Sequence, residues 1–445
     1  MRGGQMRNRS LKDGSKRVVI TGVGPVSPVG IGKEPYWESL LKGRSAVKRI
    51  DFPGFDMDQY RTKIAAPIEN FNFSDYVIET KKCKYLGRTS RFAIAGTMLA
   101  LRDADLPVEL NEERLKEGQY CLGDLDSFKA GVVLGIGVEN MDLLEMYHEN
   151  FLEHRGPKRL SPFGLPHIYM SSIASNVADR FGLRGSTFTV SSACASGTHA
   201  IINAYRQIQE GANDVMVTGG VDACITPYVF GGFVALRAMS TQNDAPKRAS
   251  RPFDAQRDGF VMAEGTGTLV LERLEHALAR NASIYAELIG YGMTADAYHI
   301  TEPDPQGKSL IRAIKLALES AGLSPQEISY INPHGTSTLL NDAVETLAIK
   351  GAMGKWAYRI PISSTKSITG HTMGAAGGIE AITMALSIQR GIIHPTINYE
   401  FPDPECDLDY VPNEPRRVGV KTAMSISAGF GGVNSVIIMR QFEGI

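Results

Sequence analysis

Apolar residues recur along the chain in two alternating patterns, short unbroken runs and helical spacings. Runs rich in Val and Ile at 17–24, 129–137, 185–190, 215–220 and 267–272 predict buried strands, the first entering a turn at Gly22 and Gly24. Between them the helical period predicts helices at 34–41, 90–103, from Ala195 onward and at 274–280. Residues 50–85 keep neither period, carry Pro53 and Pro67, and predict an irregular capping or interface excursion. The plan then repeats. Strands are predicted at 284–291, 328–332 and 362–366, helices at 307–321, 341–352 and 375–390, and a closing hairpin at 422–427 and 435–440. Strands alternating with helices predict an α/β protein. The two similar stretches predict a flexible basic tail at 1–16, one half at 17–283 and a second at 284–445.

Composition narrows the function classes. With 445 residues and 43% hydrophobic content the chain can bury a large core. Lys and Arg total 47 against 48 Asp and Glu, so no global field argues for nucleic acid, although a local basic patch can dock an acidic partner. Five cysteines, Cys83, Cys121, Cys194, Cys224 and Cys406, are scattered without a C-x-x-C pair. That argues against a disulfide framework or a bound metal and predicts a reducing, cytoplasmic setting. The basic start, Arg2 to Arg17, lacks an apolar segment and does not read as a secretory signal. No apolar run approaches a membrane span. Gly22-Val23-Gly24 invites a dinucleotide reading that fails at Ser27, where a third glycine is required.

Four motifs carry candidate chemistry. Cys194 falls where a strand turns into a helix, so the helix N-terminus predicts a stabilised thiolate and N–H groups able to hold an oxyanion. The bland alternative is a small buried Cys in a packing turn. His334, in Asn-Pro-His-Gly-Thr-Ser-Thr, ends a strand and would face the ligand crevice, or else is a satisfied turn residue. Lys366 and His371 share Lys-Ser-Ile-Thr-Gly-His before a small-residue helix, which close packing alone would also explain. Gly429-Phe430-Gly431-Gly432 is a ring between glycines, a swinging gate or a plain hairpin turn.

Together these motifs resemble a β-ketoacyl-[acyl carrier protein] synthase of the chain-elongating, synthase-II-like branch. The segments 250–260 and 296–301 resemble that branch too, and the likeness spans about residues 16 to 440. The resemblance implies the thiolase fold, two duplicated halves in α-β-α-β-α layers, and a homodimer. It implies that Cys194 takes an acyl group from an acyl carrier protein, with the N–H groups of Cys194 and Phe430 as the oxyanion hole. His334 and His371 would donate to the malonyl thioester carbonyl as carbon dioxide leaves, and the enolate would attack the acyl-cysteine. Lys366, with Asp342 and Glu345 as its expected partners, would be a buried electrostatic support. Thr301, Thr336 and Thr338 would bind the phosphopantetheine that the acyl and malonyl carrier proteins bring, with no cofactor resident in the enzyme. Phe430 would gate the acyl pocket. Departures stand at Ala195 and Val433, where Thr is usual, and at Ala428, where a second Phe is common, so chain-length preference stays open. A ketosynthase of a polyketide or specialised fatty acid pathway is the alternative. A noncatalytic chain-length partner would lack Cys194, a papain-like hydrolase would not need a second motif histidine, and a thiolase would place a second cysteine in the closing loop.

Overall fold

The computed structural model describes residues 16–444, so the expected tail at 1–16 lies, apart from Lys16, outside the described residues. The principal strands, each of three residues or more, are β1 (Val18–Ser27), β2 (Ala130–Gly135), β3 (Thr187–Val190), β4 (Val215–Asp222), β5 (Gly265–Arg273), β6 (Ala286–Ala295), β7 (Tyr330–Asn332), β8 (Thr422–Gly429) and β9 (Val433–Arg440). They pair in the order β7-β8-β9-β6-β1-β5-β4-β2-β3. In the first half β3, β2 and β4 run parallel, β5 is antiparallel to β4, and β1 is antiparallel to β5. The second half repeats this. Ile362 bridges β7 in parallel, β7 pairs β8 in parallel, β9 is antiparallel to β8, and β6 is antiparallel to β9. The halves join edge to edge where Val18–Ile20 meets Ala286–Leu288.

The repeat reaches single residues. β1 slips register between Ile20 and Gly22, and β6 slips between Leu288 and Gly290. Each bulge opens a Gly-x-Gly whose missing side chains admit a helix. A Cβ on Gly24 would lie 2.7 Å from the Ala100 nitrogen, and one on Gly292 would lie 2.8 Å from the Ala317 nitrogen. Those residues sit on helices α1 (Arg88–Asp103) and α5 (Lys308–Ala321), with α2 (Met170–Phe181), α3 (Ser196–Gln209), α4 (Pro227–Leu236), α6 (Leu339–Met353) and α7 (Ala376–Arg390) completing the main set. Gly22 and Gly24 therefore serve helix packing and not a dinucleotide.

Five layers follow. Helices α1 and α2 cover the outer face of the first half, α5 and α6 that of the second, and α3 and α7 lie between the two sheets. Apart from the edge strand β3, the strands of the first half are buried on both faces or nearly so, which is why they read as unbroken apolar runs. In β9, Ile437 and Met439 join the central core with Ile201 and Ile382, while Val436 and Ile438 join the outer core with Ile314 and Ile349. The fold is the α/β thiolase-like fold that the resemblance implied.

Two details differ from the sequence reading. Residues 362–366 do not form a strand beyond the Ile331–Ile362 bridge, and Lys366–Thr369 is a helical turn. The hydroxyls of Ser363, Ser364 and Thr365 bond across to other loops, which draws this segment out of the ladder. The excursion at 50–85 contains 3₁₀ turns and the short strand Ile64–Ala65, paired with Lys48–Arg49. Among the described residues no helix is long and apolar enough to cross a membrane.

Candidate active site

Cys194 ends the turn between β3 and α3, two residues before the first helical position. Ala193 just before it holds φ 50°, a left-handed conformation that costs energy for a residue with a Cβ. The turn is locked by its own polar groups: Ser196 Oγ accepts from the Ser192 N–H at 2.8 Å, and Ser192 Oγ lies 2.6 Å from His199 Nδ1. The glycine loop packs directly on it. A Cβ on Gly429 would sit 2.7 Å from the Ser192 carbonyl oxygen and 3.3 Å from the Cys194 nitrogen, so only glycine lets the loop approach and bring Phe430 to the same cavity as the cysteine.

The second half supplies the histidines. His334 follows β7 at the rim of the second sheet. His371 is fixed by the first half, its N–H donating to the Val261 carbonyl and its carbonyl accepting from the Ala263 N–H, both at 2.8 Å. All three residues are buried, and Cys194 Sγ and one nitrogen from each imidazole lie within 4.8 Å of one another. The two rings meet edge to face with centroids 5.4 Å apart.

Hydrogen bonds decide where the ring protons sit. His371 Nδ1 accepts from the Met373 N–H at 3.2 Å, and His334 Nδ1 lies 3.4 Å from Lys366 Nζ, a group with only protons to offer. A neutral ring receiving a donor on Nδ1 carries its proton on Nε2. Burial, with the nearby Lys366 charge, holds both histidines well below their ordinary value, so both are neutral Nε2–H donors. The cluster has the donor types of a zinc site, but metal-bound histidines donate their remote N–H to an acceptor. Here the remote nitrogens face donors, so the chemistry of the set does not fit a metal ion.

Lys366 stands behind the histidines. Its Nζ donates to the His334 carbonyl at 2.7 Å and pairs with Glu380 on α7. Asp342 and Glu345 are thus not its hydrogen-bonding partners. Glu345 accepts from the N–H groups of His334 and Gly335 at 2.5 and 2.7 Å, while Asp342 accepts from Thr336 and Ser337 at 3.1 and 3.2 Å. Both carboxylates lie early in α6 and hold the motif loop by its backbone. The loop crosses their helix end, so its N–H groups reach them first.

The cysteine also differs from its expectation. Burial pushes the Cys194 thiol up to about 12, against the pull of Lys366 and the Phe430 N–H. Desolvation here outweighs the helix terminus, whose effect reaches at most about 2 kcal/mol.

A cavity of about 380 Å³ joins these groups. Cys194, His334, His371, Thr301, Thr336 and Thr338 all line it, and Lys366 does not. Phe430 lines it too, with its ring 6.3 Å from that of Phe233 on α4. Two further buried acids stand behind the cavity without lining it. Glu380 ends the Gly374–Glu380 stretch as a lone acid in a small-residue helix, a pattern that marks a buried ion pair in the sequence. Asp222, at the C-terminal end of β4, accepts from Gly137, Val138 and Gly374 N–H groups at 3.0, 2.9 and 2.6 Å. Its place at a strand end was the available signal.

The model of the beta-ketoacyl synthase N-terminal domain matches residues 15–277, and that of the C-terminal domain matches 285–400. A 3-oxoacyl-[acyl-carrier-protein] synthase 2 of Synechocystis sp. is 43% identical over 428 residues, covering 96% of this chain and 99% of the relative. A Staphylococcus aureus (strain COL) protein of the same name is 43% identical over 429 residues, with 96% and 99% covered. Among solved structures, a beta-ketoacyl synthase from Burkholderia phymatum STM815 superposes with TM-score 0.86 at 36% identity, covering 96% of this chain and all (100%) of that one. A type II polyketide ketosynthase in complex with its acyl-carrier protein gives TM-score 0.86 at 35% identity, with 96% and 100% covered.

Proposed function

The chain belongs to the beta-ketoacyl synthase family, and on that premise we propose the roles of its residues in the condensing reaction. The enzyme is an acyltransferase that joins an acyl group to malonyl-acyl carrier protein, giving β-ketoacyl-acyl carrier protein and carbon dioxide in fatty acid elongation. The observation that supports the site assignment best is the meeting of Cys194, His334 and His371 in one cavity.

In the first step the Cys194 sulfur attacks the acyl thioester carbonyl. The oxyanion that forms is held by the N–H groups of Cys194 and Phe430. Cys194 reacts as the thiolate, the carbon–sulfur bond to the pantetheine breaks, and the leaving thiolate takes up the proton that the cysteine gave, so the exchange is neutral in protons overall.

In the second step the malonyl thioester carbonyl accepts from the Nε2–H groups of His334 and His371. The bond to the carboxylate breaks, carbon dioxide leaves, and its electron pair enters the enolate that the two donors stabilise. The enolate carbon attacks the acyl-cysteine, the new carbon–carbon bond forms, and the carbon–sulfur bond breaks to return Cys194. Lys366 acts through His334 as a positioning residue. Thr336 and Thr338, whose hydroxyls are 2.9 Å apart, and Thr301 hold the pantetheine at the cavity wall.

The finer expectations stand on separate observations. A carrier protein as partner is supported by the exposed Lys81, Lys82, Lys84, Lys158 and Arg159, which no ion pair neutralises among the described residues. Tyr85 and Phe163, with ring centroids 5.2 Å apart, join the two basic segments. A homodimer is supported by β3, a half-exposed strand at the open edge of the sheet with Phe188 37% exposed. The division at 283 and 284 is supported by the strand order common to both sides, and a cytoplasmic setting by the five free cysteines. Intact-protein mass spectrometry tests the reading. Acyl-carrier protein should add one acyl group, lost in Cys194→Ala, and malonyl-carrier protein should then discharge it as a product two carbons longer. Discharge as free acid would instead indicate a hydrolase.

A further inference from the structure

Behind the site, five buried polar side chains form a chain that the condensing steps do not use. Tyr330, Asn332, Ser363, Thr365 and His394 are all 0–1% exposed. Asn332 Nδ2 donates to Thr365 Oγ1 at 2.8 Å, and Thr365 Oγ1 lies 3.2 Å from His394 Nε2. On the other side of the ring, Nδ1 lies 2.9 Å from the Pro395 carbonyl oxygen, which can only accept. One direction satisfies the imidazole and the Thr365 hydroxyl: Nδ1–H donates to Pro395, Nε2 accepts the Thr365 hydroxyl proton, and Thr365 accepts from Asn332 Nδ2. Ser363 Oγ also donates to the His394 carbonyl at 2.6 Å.

This chain ties three separate segments at two chemically important points. Asn332 ends β7 two residues before His334, and Thr365 immediately precedes Lys366. His334 and Lys366 must keep their own contact, Lys366 Nζ to the His334 carbonyl at 2.7 Å, for the Nε2–H of His334 to stay aimed into the cavity. Yet Lys366 sits on a helical turn and His334 on a loop, and their strand pairing stops at the Ile331–Ile362 bridge. His394, on the segment after α7, takes the place of the missing ladder. A neutral imidazole suits this role because it offers one donor and one acceptor in fixed opposite directions, and burial pushes its pKa down to about 4.

We propose that His394 is a positioning residue for the decarboxylation step, fixing the His334 loop against the Lys366 turn through Thr365 and Asn332. The proposal rests on the assignment of His334 as a donor to the malonyl carbonyl. It predicts a split between partial reactions, because the Cys194 turn is held by Ser192, Ser196 and Gly429 and by nothing in this chain.

The test compares His394→Leu, His394→Gln and Thr365→Val with His334→Ala, using malonyl-carrier decarboxylation and acyl transfer to Cys194 as separate readouts. His394→Leu is expected to lower kcat for decarboxylation about 10-fold, less than the roughly 10²-fold that a 1 Å misplacement costs. Acyl transfer should stay within about 2-fold, and Gln, which keeps a donor and an acceptor, should recover most of the loss. Thr365→Val, an isosteric change less disruptive to folding, should show the same split. Equal losses in both partial reactions for Thr365→Val, or no loss, would overturn the proposal. If His334→Ala leaves decarboxylation intact, the donor assignment itself fails and this inference with it. A normal His334→Ala defect with an unaffected Thr365→Val and His394→Leu would remove the inference alone.

Discussion

His371 Nδ1 accepts a hydrogen bond from the Met373 N–H, and this contact settles which ring nitrogen carries the proton. The turn that follows His371 thus makes its ring a donor toward the cavity. His334 reaches the same state by a different device, the Lys366 ammonium beside its Nδ1. Both rings are neutral donors at pH values where an ordinary histidine is half charged.

That state has a pH signature. Each histidine is held well below 6.5, so its neutral form persists as pH falls through 6.5 and is lost only near the lowered value. Malonyl decarboxylation by Cys194→Gln is therefore expected to be flat from pH 7.5 to about 6, without an inflection at the ordinary histidine value. The same shifts bear on folding with a definite sign. The unfolded chain gains protons on these histidines below about 6.5 while the folded protein does not, so stability falls as pH drops from there toward the folded values. A pH–rate profile with an acid limb centred near 6.5 would mean that the rings titrate freely.

The thiol should behave as a buried group. With its pKa pushed up to about 12, Cys194 is expected to be alkylated by iodoacetamide about tenfold faster per pH unit between 6.5 and 8.5, with no plateau. Lys366→Met, by removing the charge that favours thiolate, should slow it further. A rate independent of pH in that window would restore the low-pKa thiolate that the helix terminus alone suggests.

Lys366 and Glu380 are 2% and 1% exposed and pair with each other. Removing one partner strands the other. Lys366→Met is expected to cost about 3–5 kcal/mol in chemical denaturation, and the double variant Lys366→Met/Glu380→Leu to recover most of it. Its decarboxylation should stay low, because the His334 loop still lacks the Nζ contact. Equal destabilisation by single and double variants would show that the pair is not coupled.

The gate is expected to separate from the chemistry. The Phe430 ring faces Phe233, and its loop is tied down by the Gly431 N–H donating to the Ile300 carbonyl at 2.7 Å. Phe430→Ala should change the chain-length profile of acylation more than malonyl decarboxylation, and Gly429→Val should slow acylation because its side chain meets the Ser192 carbonyl. Thermal melts distinguish this from a core defect, in which all partial reactions would fall together with the melting temperature.

Much of this was legible in the sequence, and what was not has a physical reason. Apolar runs marked the main strands because most of these strands are covered on both faces, as β9 shows with Ile437 and Ile438 in different cores. The motif residues Cys194, His334 and His371, which the fold brings within 4.8 Å of one another, stood out because strand-to-helix turns and strand ends are readable locally. Helix α4 was missed because its Gly231 and Gly232 and near-unbroken apolar sequence hide the helical period. Partners were the other failure. Lys366 could be matched to any nearby acid in sequence, but Glu380 reaches it only because α7 runs back between the two sheets. Burial of Cys194 was hidden for the same reason, since a sequence shows the helix terminus beside the cysteine and not how deeply the fold buries it.

The central claim is that two neutral histidine donors act on one malonyl carbonyl beside the cysteine nucleophile. Malonyl-carrier decarboxylation measured in the Cys194→Gln background, with His334→Ala, His371→Ala and both together, tests it most directly. Each single variant is expected to lose about 10²–10³ in rate, and the double variant to be little worse than either, because the two donors act as a unit. Decarboxylation that survives undiminished in either single variant would contradict the account.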